Sequence, residues 1–245
     1  MRQPKDYIVF PLDVGTRAEA ETLVKKLADH VGLFKVGLEA FIRSGPDLVR
    51  WIQTQGAAGI FLDLKLHDIP ITVARAMEGI GDLGVALTTV HCGESPRMLE
   101  AAVKARRGGT KILAVTVLTS VGAEELRQAG LAPALSENMQ ALVQHRARMA
   151  RSAGCDGVVC SGWEVGAIKG VLGPDFIAVT PGIRPALEAV GGDDQRRVMT
   201  PAEAVRNGAD YIVIGRPIRE AGDPSEAARR VAEEIAEGLS GAPGC

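Results

Sequence analysis

Three charged residues stand in and just after an apolar, strand-like stretch, FLDLKLHDIPITV, which runs from Phe61 to Val73. They alternate in sign as Asp63, Lys65 and Asp68. Burying a charge costs free energy unless the charge is paired, so this order needs a reason. A lysine held between carboxylates keeps its proton, because each opposite charge at about 4 Å is worth roughly 4 kcal/mol at an effective dielectric constant of about 20. Such a lysine can stabilise a developing negative charge and then donate a proton to it.

Further polar residues stand at the ends of other apolar runs, namely Asp13, Lys35, His91 and Thr119. If the runs are the strands of a barrel, their C-terminal ends meet, and three carboxylates and two lysines share a small volume. Residues 63 and 65 are two apart, so on a strand their side chains leave the same face. The structural alternative is a set of surface ion pairs, each of which is worth little. Buried alternating charges would serve a structural role poorly, so the pattern favours a functional site.

Two other segments are typical of phosphate binding. TPGIRP places Gly182 and Arg184 at the end of the seventh apolar run, and GRP places Gly215 and Arg216 at the end of the eighth. The loops after the seventh and eighth strands of barrels often hold phosphate with backbone N–H groups, and arginine adds a forked, charge-assisted contact. The alternative is ordinary turn chemistry with two solvated arginines.

Eight short runs of β-branched and apolar residues are separated by segments with helical periodicity. Near-continuous apolar runs are typical of parallel strands that are covered on both faces. The runs cover residues 7–14, 33–39, 59–66, 85–93, 111–119, 155–162, 175–183 and 210–218. Helix starts are indicated by Thr16 with Glu19 three residues later, and by Ser95 followed by Pro96.

This alternation predicts an α/β fold, a single closed (β/α)₈ TIM barrel that forms one domain over residues 1–245. A doubly wound open sheet is the second choice, but no G-x-G-x-x-G dinucleotide loop follows the first run. The interval before the eighth run begins with a glycine-rich, polar segment that has no helical stripe. We expect residues 185–197 to form a loop that closes over a ligand.

Composition narrows the range of partners. The net charge of −2 gives no reason to expect a nucleic acid or an anionic membrane. No secretory signal pattern is present and no run reaches the roughly 18 apolar residues of a membrane span, so we expect a cytoplasmic protein. The four cysteines include no C-x-x-C pair and are predicted to be reduced thiols: Cys92, Cys155, Cys160 and Cys245.

The stretch DLKLHDIPITV resembles the D-x-K-x-x-D-[IV]-x-x-T signature of the orotidine 5′-phosphate decarboxylase family. The signature residues in this chain are Asp63, Lys65, Asp68, Ile69 and Thr72. The likeness extends along the whole chain, through LDV at Asp13, KVGLE at Lys35, LAVTVLTS around Thr119, DGVVCS, TPGIR, Gln195 and ADYIVIGRPI. The signature is long and specific, and no motif position departs from it.

The resemblance implies an enzyme that converts orotidine monophosphate to UMP and CO₂, the last step of de novo pyrimidine nucleotide synthesis, with no cofactor and no metal. It implies that Lys65 donates the proton and that Asp63 lies beside the scissile carboxylate. Lys35 and Asp68 would complete the alternating charges, with Asp68 supplied by the other subunit of a homodimer. The implied substrate-binding residues are Asp13, Lys35, Ile69, Thr72, Thr119, Pro181, Arg184, Gln195, Gly215 and Arg216.

That reaction would explain the alternating charges. Loss of the carboxylate at this ring position leaves a carbanion with no conjugated place for its charge, and no motif suggests an electron sink such as pyridoxal phosphate. The protein must therefore supply a preorganised positive charge where the negative charge develops. Two roles for Asp63 stay open at this point, repulsion of the substrate carboxylate and orientation of Lys65.

Three other functions compete with this reading. Metal-dependent decarboxylases and synthases of the same superfamily share a similar D-x-K-x-x-D motif. They resemble this chain less at the end of the second strand, where they have an acidic metal ligand and this chain has Lys35. A Schiff-base aldolase would need Lys65 without its proton, which flanking carboxylates oppose. A non-catalytic barrel that binds nucleotide phosphates would not need the charge array. His91 is expected to support the site through a hydrogen bond rather than to act as an acid or base.

Overall fold

Eight parallel strands close into a barrel in the order of the sequence. A computed structural model describes residues 2–56, 59–93, 95–186 and 199–241. The strands are β1 (Ile8–Pro11), β2 (Leu33–Gly37), β3 (Gly59–Leu66), β4 (Leu87–His91), β5 (Lys111–Val115), β6 (Gly157–Val159), β7 (Ile177–Thr180) and β8 (Tyr211–Val213). Each strand pairs with its neighbours in sequence, and β8 pairs with β1. The predicted (β/α)₈ barrel is confirmed, and the open doubly wound sheet is excluded.

Helices follow every strand and cover the outside of the barrel. They are α1 (Arg17–Leu27), α2 (Leu38–Thr54), α3 (Pro70–Asp82), α4 (Pro96–Ala105), α5 (Ala123–Gln128), α6 (Pro133–Ser136), α7 (Met139–Ser152), α8 (Gly162–Leu172), α9 (Pro201–Arg206), α10 (Arg216–Arg219) and α11 (Pro224–Ser240). Thr16 caps α1, because its side chain accepts a hydrogen bond from the backbone N–H of Glu19. Ser95 precedes α4 and Pro96 begins it, but the Ser95 side chain makes no capping hydrogen bond.

The apolar side chains pack in two separate layers. The larger layer lies between the strands and the helices. The smaller layer fills the barrel interior and consists of Val9, Leu33, Phe61, Leu87, Leu113 and Val179. Because strand side chains alternate between faces, residues two positions further along each strand also point inward. The inward positions nearest the C-terminal ends of the strands therefore stand on an apolar floor.

Strand β3 carries a bulge close to its C-terminal end. Leu62 pairs with Thr88, and Leu66 pairs with Val90, so four residue steps on β3 match two on β4. Within the bulge Lys65 has a φ of 50°, in the left-handed region that a residue with a side chain adopts at a cost of about 1–2 kcal/mol. Bulges bend a strand and re-aim its side chains, and they occur often beside active sites.

Some of the predicted features fall on residues outside the described part of the chain. Residues 187–198 are outside the described residues, and with them Gln195 and most of the expected closing loop. In the described part of the chain, no helix has the length and apolar character needed to span a membrane. The cytoplasmic location stays a prediction.

Three cysteines are buried free thiols, and the fourth, Cys245, is outside the described residues. Burial raises the pKa of the Cys92 thiol to about 11 and that of Cys155 to about 12, and it raises the pKa of Cys160 as well. A thiol with a pKa near 11 is ionised in only about one molecule in a thousand at pH 8, and the thiolate is the reactive form.

We therefore expect these thiols to resist modification in the folded protein. A Cys245→Ser variant treated with an aromatic disulfide reagent at pH 8 should release almost no chromophore until denaturant is added. After denaturation all three remaining thiols should react. Rapid modification of the native variant would contradict the burial of these side chains.

Candidate active site

A cavity of 520 Å³ opens at the C-terminal ends of the strands. Its apolar floor includes Phe61, Val115, Val159 and Val213, which belong to the barrel interior or pack against it. Its charged and polar wall residues come from the strand ends and the loops that follow: Asp13, Lys35, Asp63, Lys65, Thr119, Ser120, Arg184, Arg216 and Arg219. One end of the barrel thus combines an apolar pocket with closely spaced charges and three arginines.

Two carboxylates and two ammonium groups alternate along one wall. Lys35 Nζ lies 3.1 Å from Asp13 Oδ1 and 3.7 Å from Asp63 Oδ2. Lys65 Nζ donates to the same Asp63 oxygen at 2.8 Å. Only 10% of the Asp63 side chain is exposed, against 53% for Asp13. The ion chain therefore runs from solvent at Asp13 to a buried carboxylate at Asp63, where opposite charges offset the cost of burial.

The ion pair between Asp13 and Lys35 depends on a glycine that the sequence analysis did not single out. Gly37 is aligned with Asp63 across the β2–β3 pairing. A Cβ atom at Gly37 would lie 3.0 Å from Lys35 Nζ and 3.2 Å from Asp13 Oδ1. The absence of a side chain therefore leaves room for the ion pair. The motif KVGLE contained this glycine, but glycine at the end of a strand is also typical of an ordinary turn.

Two more residues at the site were missed. Thr89 of β4 contacts both Asp63 and Lys65 through its hydroxyl group. Arg219 of α10 lines the cavity, and its Nη1 donates to the backbone oxygen of Asp13 at 2.6 Å. Arg219 lies only three residues after Arg216, so a strand-end search could have included it. Thr89 gave no such signal, because threonine is common in any strand.

The segments after β7 and β8 supply the arginine-bearing part of the wall. Pro181, Gly182 and Arg184 line the cavity after β7, and Gly215 and Arg216 line it after β8. Gly182 has a φ of 79°, which favours glycine. A Cβ atom at Gly215 would lie 2.8 Å from Cγ of Pro11, so the close approach of β1 also requires a glycine. Both predicted phosphate segments therefore reach the cavity.

Three of the predicted site residues do not reach it. Among the described residues, those that line the cavity do not include Asp68, Ile69 or Thr72. These three residues lie in the exposed stretch 67–72, where Asp68 Oδ1 accepts a hydrogen bond from the Ile69 backbone at 2.6 Å. They belong to the surface of their own chain rather than to its cavity.

His91 ends β4, as predicted, and its ring stacks on that of His67 at a centroid distance of 5.2 Å and an angle of 27°. Neither histidine is among the cavity-lining residues that the structure describes. The supporting role expected for His91, through a hydrogen bond to the site, therefore stays a prediction.

The described residues contain no group of three or more histidine, cysteine, aspartate or glutamate side chains that could hold a metal ion. The two carboxylates of the cavity wall are each in contact with at least one lysine ammonium group. A cation of the protein itself therefore occupies the position next to each carboxylate.

The sequence matches known proteins over almost its full length. The family described as "Orotidine 5'-phosphate decarboxylase / HUMPS family" matches residues 6–231. A protein of Desulfosudis oleivorans named orotidine 5'-phosphate decarboxylase is 52% identical over 97% of this chain and 96% of its own. A protein of Syntrophus aciditrophicus with the same name is 50% identical over 98% of this chain and 96% of its own.

Solved structures show the same architecture. The crystal structure of orotidine 5'-phosphate decarboxylase from Lactobacillus acidophilus superposes with a TM-score of 0.79 at 35% identity, over 93% of this chain and 98% of that one. An uncharacterized conserved protein from Geobacillus kaustophilus gives a TM-score of 0.77 at 36% identity, over 93% and 99% of the two chains. With its barrel, its alternating charges and these matches, the chain belongs to the orotidine 5'-phosphate decarboxylase / HUMPS family.

Proposed function

We propose that this protein is an orotidine 5′-phosphate decarboxylase, a carboxy-lyase of pyrimidine nucleotide synthesis that converts orotidine monophosphate to UMP and CO₂. The names of relatives that are about half identical over nearly the whole chain support this substrate. The observation that carries the mechanism is the contact of 2.8 Å between Lys65 Nζ and Asp63 Oδ2 at the rim of an apolar pocket.

Lys65 is the proposed proton donor. As CO₂ leaves, the electron pair of the broken bond stays on the ring carbon, and an ammonium group already in place stabilises that charge without reorganisation. The same ammonium group then delivers its proton to the carbon. The apolar floor beneath it keeps the local dielectric constant low, which strengthens the interaction between the ammonium group and the carbanion.

Asp63 is proposed to orient Lys65 and to lie beside the departing carboxylate. One of its oxygens accepts from Lys65 and also faces Lys35 at 3.7 Å, so its charge is already balanced by two cations. This balance favours orientation of Lys65 over simple repulsion of the substrate as the main role of Asp63. Lys35 would pair with Asp63 and also contact the ribose region of the substrate, as would Asp13.

The rest of the cavity wall is proposed to hold the remaining parts of the nucleotide. Thr119 and Pro181 would contact the pyrimidine edge. The phosphate group would lie against Arg184, Gly215 and Arg216, because guanidinium groups and backbone N–H groups are its usual partners. Gln195 is proposed to reach the phosphate from the segment outside the described residues.

A second subunit is proposed to complete each site. Asp68, Ile69 and Thr72 belong to the family signature, yet in their own chain they are exposed and away from the cavity. Large apolar side chains are exposed at the starts of α2 and α3, which follow neighbouring strands: Leu38, Ile42, Ile69 and Ile71, with Ile42 81% exposed. A homodimer with two-fold symmetry would cover this surface and bring Asp68 to the partner's ion chain.

The proposed reaction needs neither a metal nor an organic cofactor, because the Lys65 ammonium group supplies the positive charge at the reacting carbon. We expect the purified protein to consume orotidine monophosphate, measured as a loss of ultraviolet absorbance, at the same rate before and after exhaustive chelation. Loss of turnover on chelation, with recovery on adding magnesium, would instead favour a metal-dependent member of the superfamily. No turnover under either condition would refute the proposed function.

A further inference from the structure

Thr89 of β4 contacts the last two residues of the ion chain, Asp63 and Lys65. Its side chain is fully buried, and it is not among the cavity-lining residues that the structure describes. The Thr89 hydroxyl oxygen lies 2.9 Å from the backbone nitrogen of Lys65 and 2.9 Å from Asp63 Oδ1. One side chain on β4 therefore contacts the backbone of one charged residue and the carboxylate of the other.

The direction of both hydrogen bonds follows from the groups involved. The Lys65 backbone N–H can only donate, so the hydroxyl oxygen accepts from it. An ionised carboxylate can only accept, so the single hydroxyl proton goes to Asp63. Threonine is suited to this position, because a hydroxyl group can accept and donate at the same time.

The bulge in β3 creates the need for such a partner. Between Leu62 and Leu66 the strand leaves its register with β4, and Lys65 takes a φ of 50°. A buried backbone N–H that loses its partner in the sheet must find another acceptor. The Thr89 side chain provides it, and so offsets part of the cost of the left-handed conformation at Lys65.

The same hydroxyl group restricts the rotation of the Asp63 carboxylate. The χ2 torsion angle, which sets the orientation of an aspartate carboxylate, has a broad distribution with no sharp intrinsic preference. Asp63 Oδ2 is held by Lys65 Nζ at 2.8 Å, and Oδ1 is held by Thr89. With a donor on each oxygen, the plane of the carboxylate is set, and so is the direction in which it holds the Lys65 ammonium group.

We propose that Thr89 is a positioning residue, which holds the Asp63 carboxylate and the Lys65 backbone so that the ammonium group stands at the reacting carbon. This inference rests on the proposed function for its kinetic consequence, but its structural part does not. Thr89 would act on the chemical step rather than on substrate binding, because it lies outside the cavity wall.

The kinetic test compares three variants on one strand. Thr89→Val keeps the shape and removes the hydroxyl group, and Thr89→Ser keeps the hydroxyl group. Thr88→Val is the matched control, since Thr88 is also buried and donates to the Leu62 backbone oxygen at 3.0 Å, but faces the helices.

We expect Thr89→Val to lower kcat by roughly 10- to 100-fold, the scale of a small misplacement of catalytic groups. KM and the dissociation constant of UMP should stay within about twofold of the wild type, because the binding groups are unchanged. Thr89→Ser should recover most of the lost kcat, and Thr88→Val should keep wild-type kcat even if its thermal midpoint falls. An unchanged kcat in Thr89→Val, or an equal loss in Thr88→Val, would overturn the proposal.

A second readout does not depend on activity. Amide hydrogen exchange at Lys65, followed by NMR, should be at least about tenfold faster in Thr89→Val than in the wild type, because the amide loses its acceptor. It should stay slow in Thr89→Ser and Thr88→Val. If Thr89→Val does not fold, Thr89→Ala replaces it in both tests. Inactive wild-type protein would refute the proposed function, whereas unchanged exchange at Lys65 would refute the role of Thr89.

Discussion

Lys65→Ala and Asp68→Ala dimers are each expected to be nearly inactive, yet a mixture of the two should regain about a quarter of the wild-type activity under the isologous geometry of a two-fold dimer. The reason lies in the different positions of the two residues. Lys65 stands in the cavity wall of its own chain, whereas Asp68 is exposed and bonded to the neighbouring backbone of Ile69. If each site takes Asp68 from the partner, every site in a dimer of one variant carries one lesion. In a mixed dimer, both lesions fall on the same site.

The expected fraction follows from counting sites. In a mixed dimer, one site combines the altered Lys65 of one chain with the altered Asp68 of the other, and the second site carries neither lesion. Random exchange makes about half of the dimers mixed, so about one site in four is intact. Activity should therefore rise towards that level after dilution and re-association of the two variants.

A matched control removes the effect of exchange itself. Lys65→Ala mixed with the double variant Lys65→Ala/Asp68→Ala has no site with an intact Lys65, and it should stay inactive. Subunit exchange is checked by native mass spectrometry with one variant isotopically labelled. Exchange without recovery in the first mixture would place Asp68 in the site of its own chain and remove the argument for a shared site.

Arg216→Ala should lower kcat/KM for orotidine monophosphate by a factor of about 30 to 5,000. This factor corresponds to a loss of roughly 2–5 kcal/mol of transition-state stabilisation, which is typical when one partner of a desolvated charge pair is removed. Arg216 is the first residue after Gly215 in the segment that follows β8, and both line the cavity. Binding energy from a phosphate group remote from the reacting bond can be used to hold the substrate in place and to exclude water.

The same substitution should have little effect on orotidine, the substrate that lacks the phosphate group. Arg230→Ala serves as the control for loss of an arginine, since Arg230 is 63% exposed on α11 and pairs with Glu226. The two substrates are compared by kcat/KM for each variant under the same salt conditions. Equal losses with orotidine monophosphate and orotidine would mean that Arg216 does not bind the phosphate group.

The eight strands of the barrel could be predicted from the sequence, because each strand is covered on both faces and appears as a continuous apolar run. The ends of the runs were less accurate. The fifth run was extended to Thr119, whereas β5 ends at Val115, and the first was extended to Val14, whereas β1 ends at Pro11. Local preference for extended backbone continues past the point where a neighbouring strand is available for hydrogen bonding.

The grouping of charges at one end of the barrel was also predictable, since the ends of parallel strands in a closed barrel must meet. Asp13, Lys35, Asp63 and Lys65 lie together for this reason. The alternation of charges within DLKLHD is visible in the sequence itself. Because a buried charge requires a partner of opposite sign, this alternation predicted the pairing of Asp63 with Lys65.

Only the tertiary structure decided how those charges are held. The spacing of Asp63 and Lys65 suggested a regular strand, but a bulge against β4 turns the backbone at Lys65 to a φ of 50°. The structure also placed Thr89 in contact with both residues and Gly37 next to the ion pair of Asp13 and Lys35. It placed Asp68 on the surface, away from the cavity of its own chain. The bulge and both Thr89 contacts join β3 to β4, and the partners of the two hydrogen bonds are 24 and 26 positions apart in the chain. Such contacts form only when the strands pair and the barrel closes.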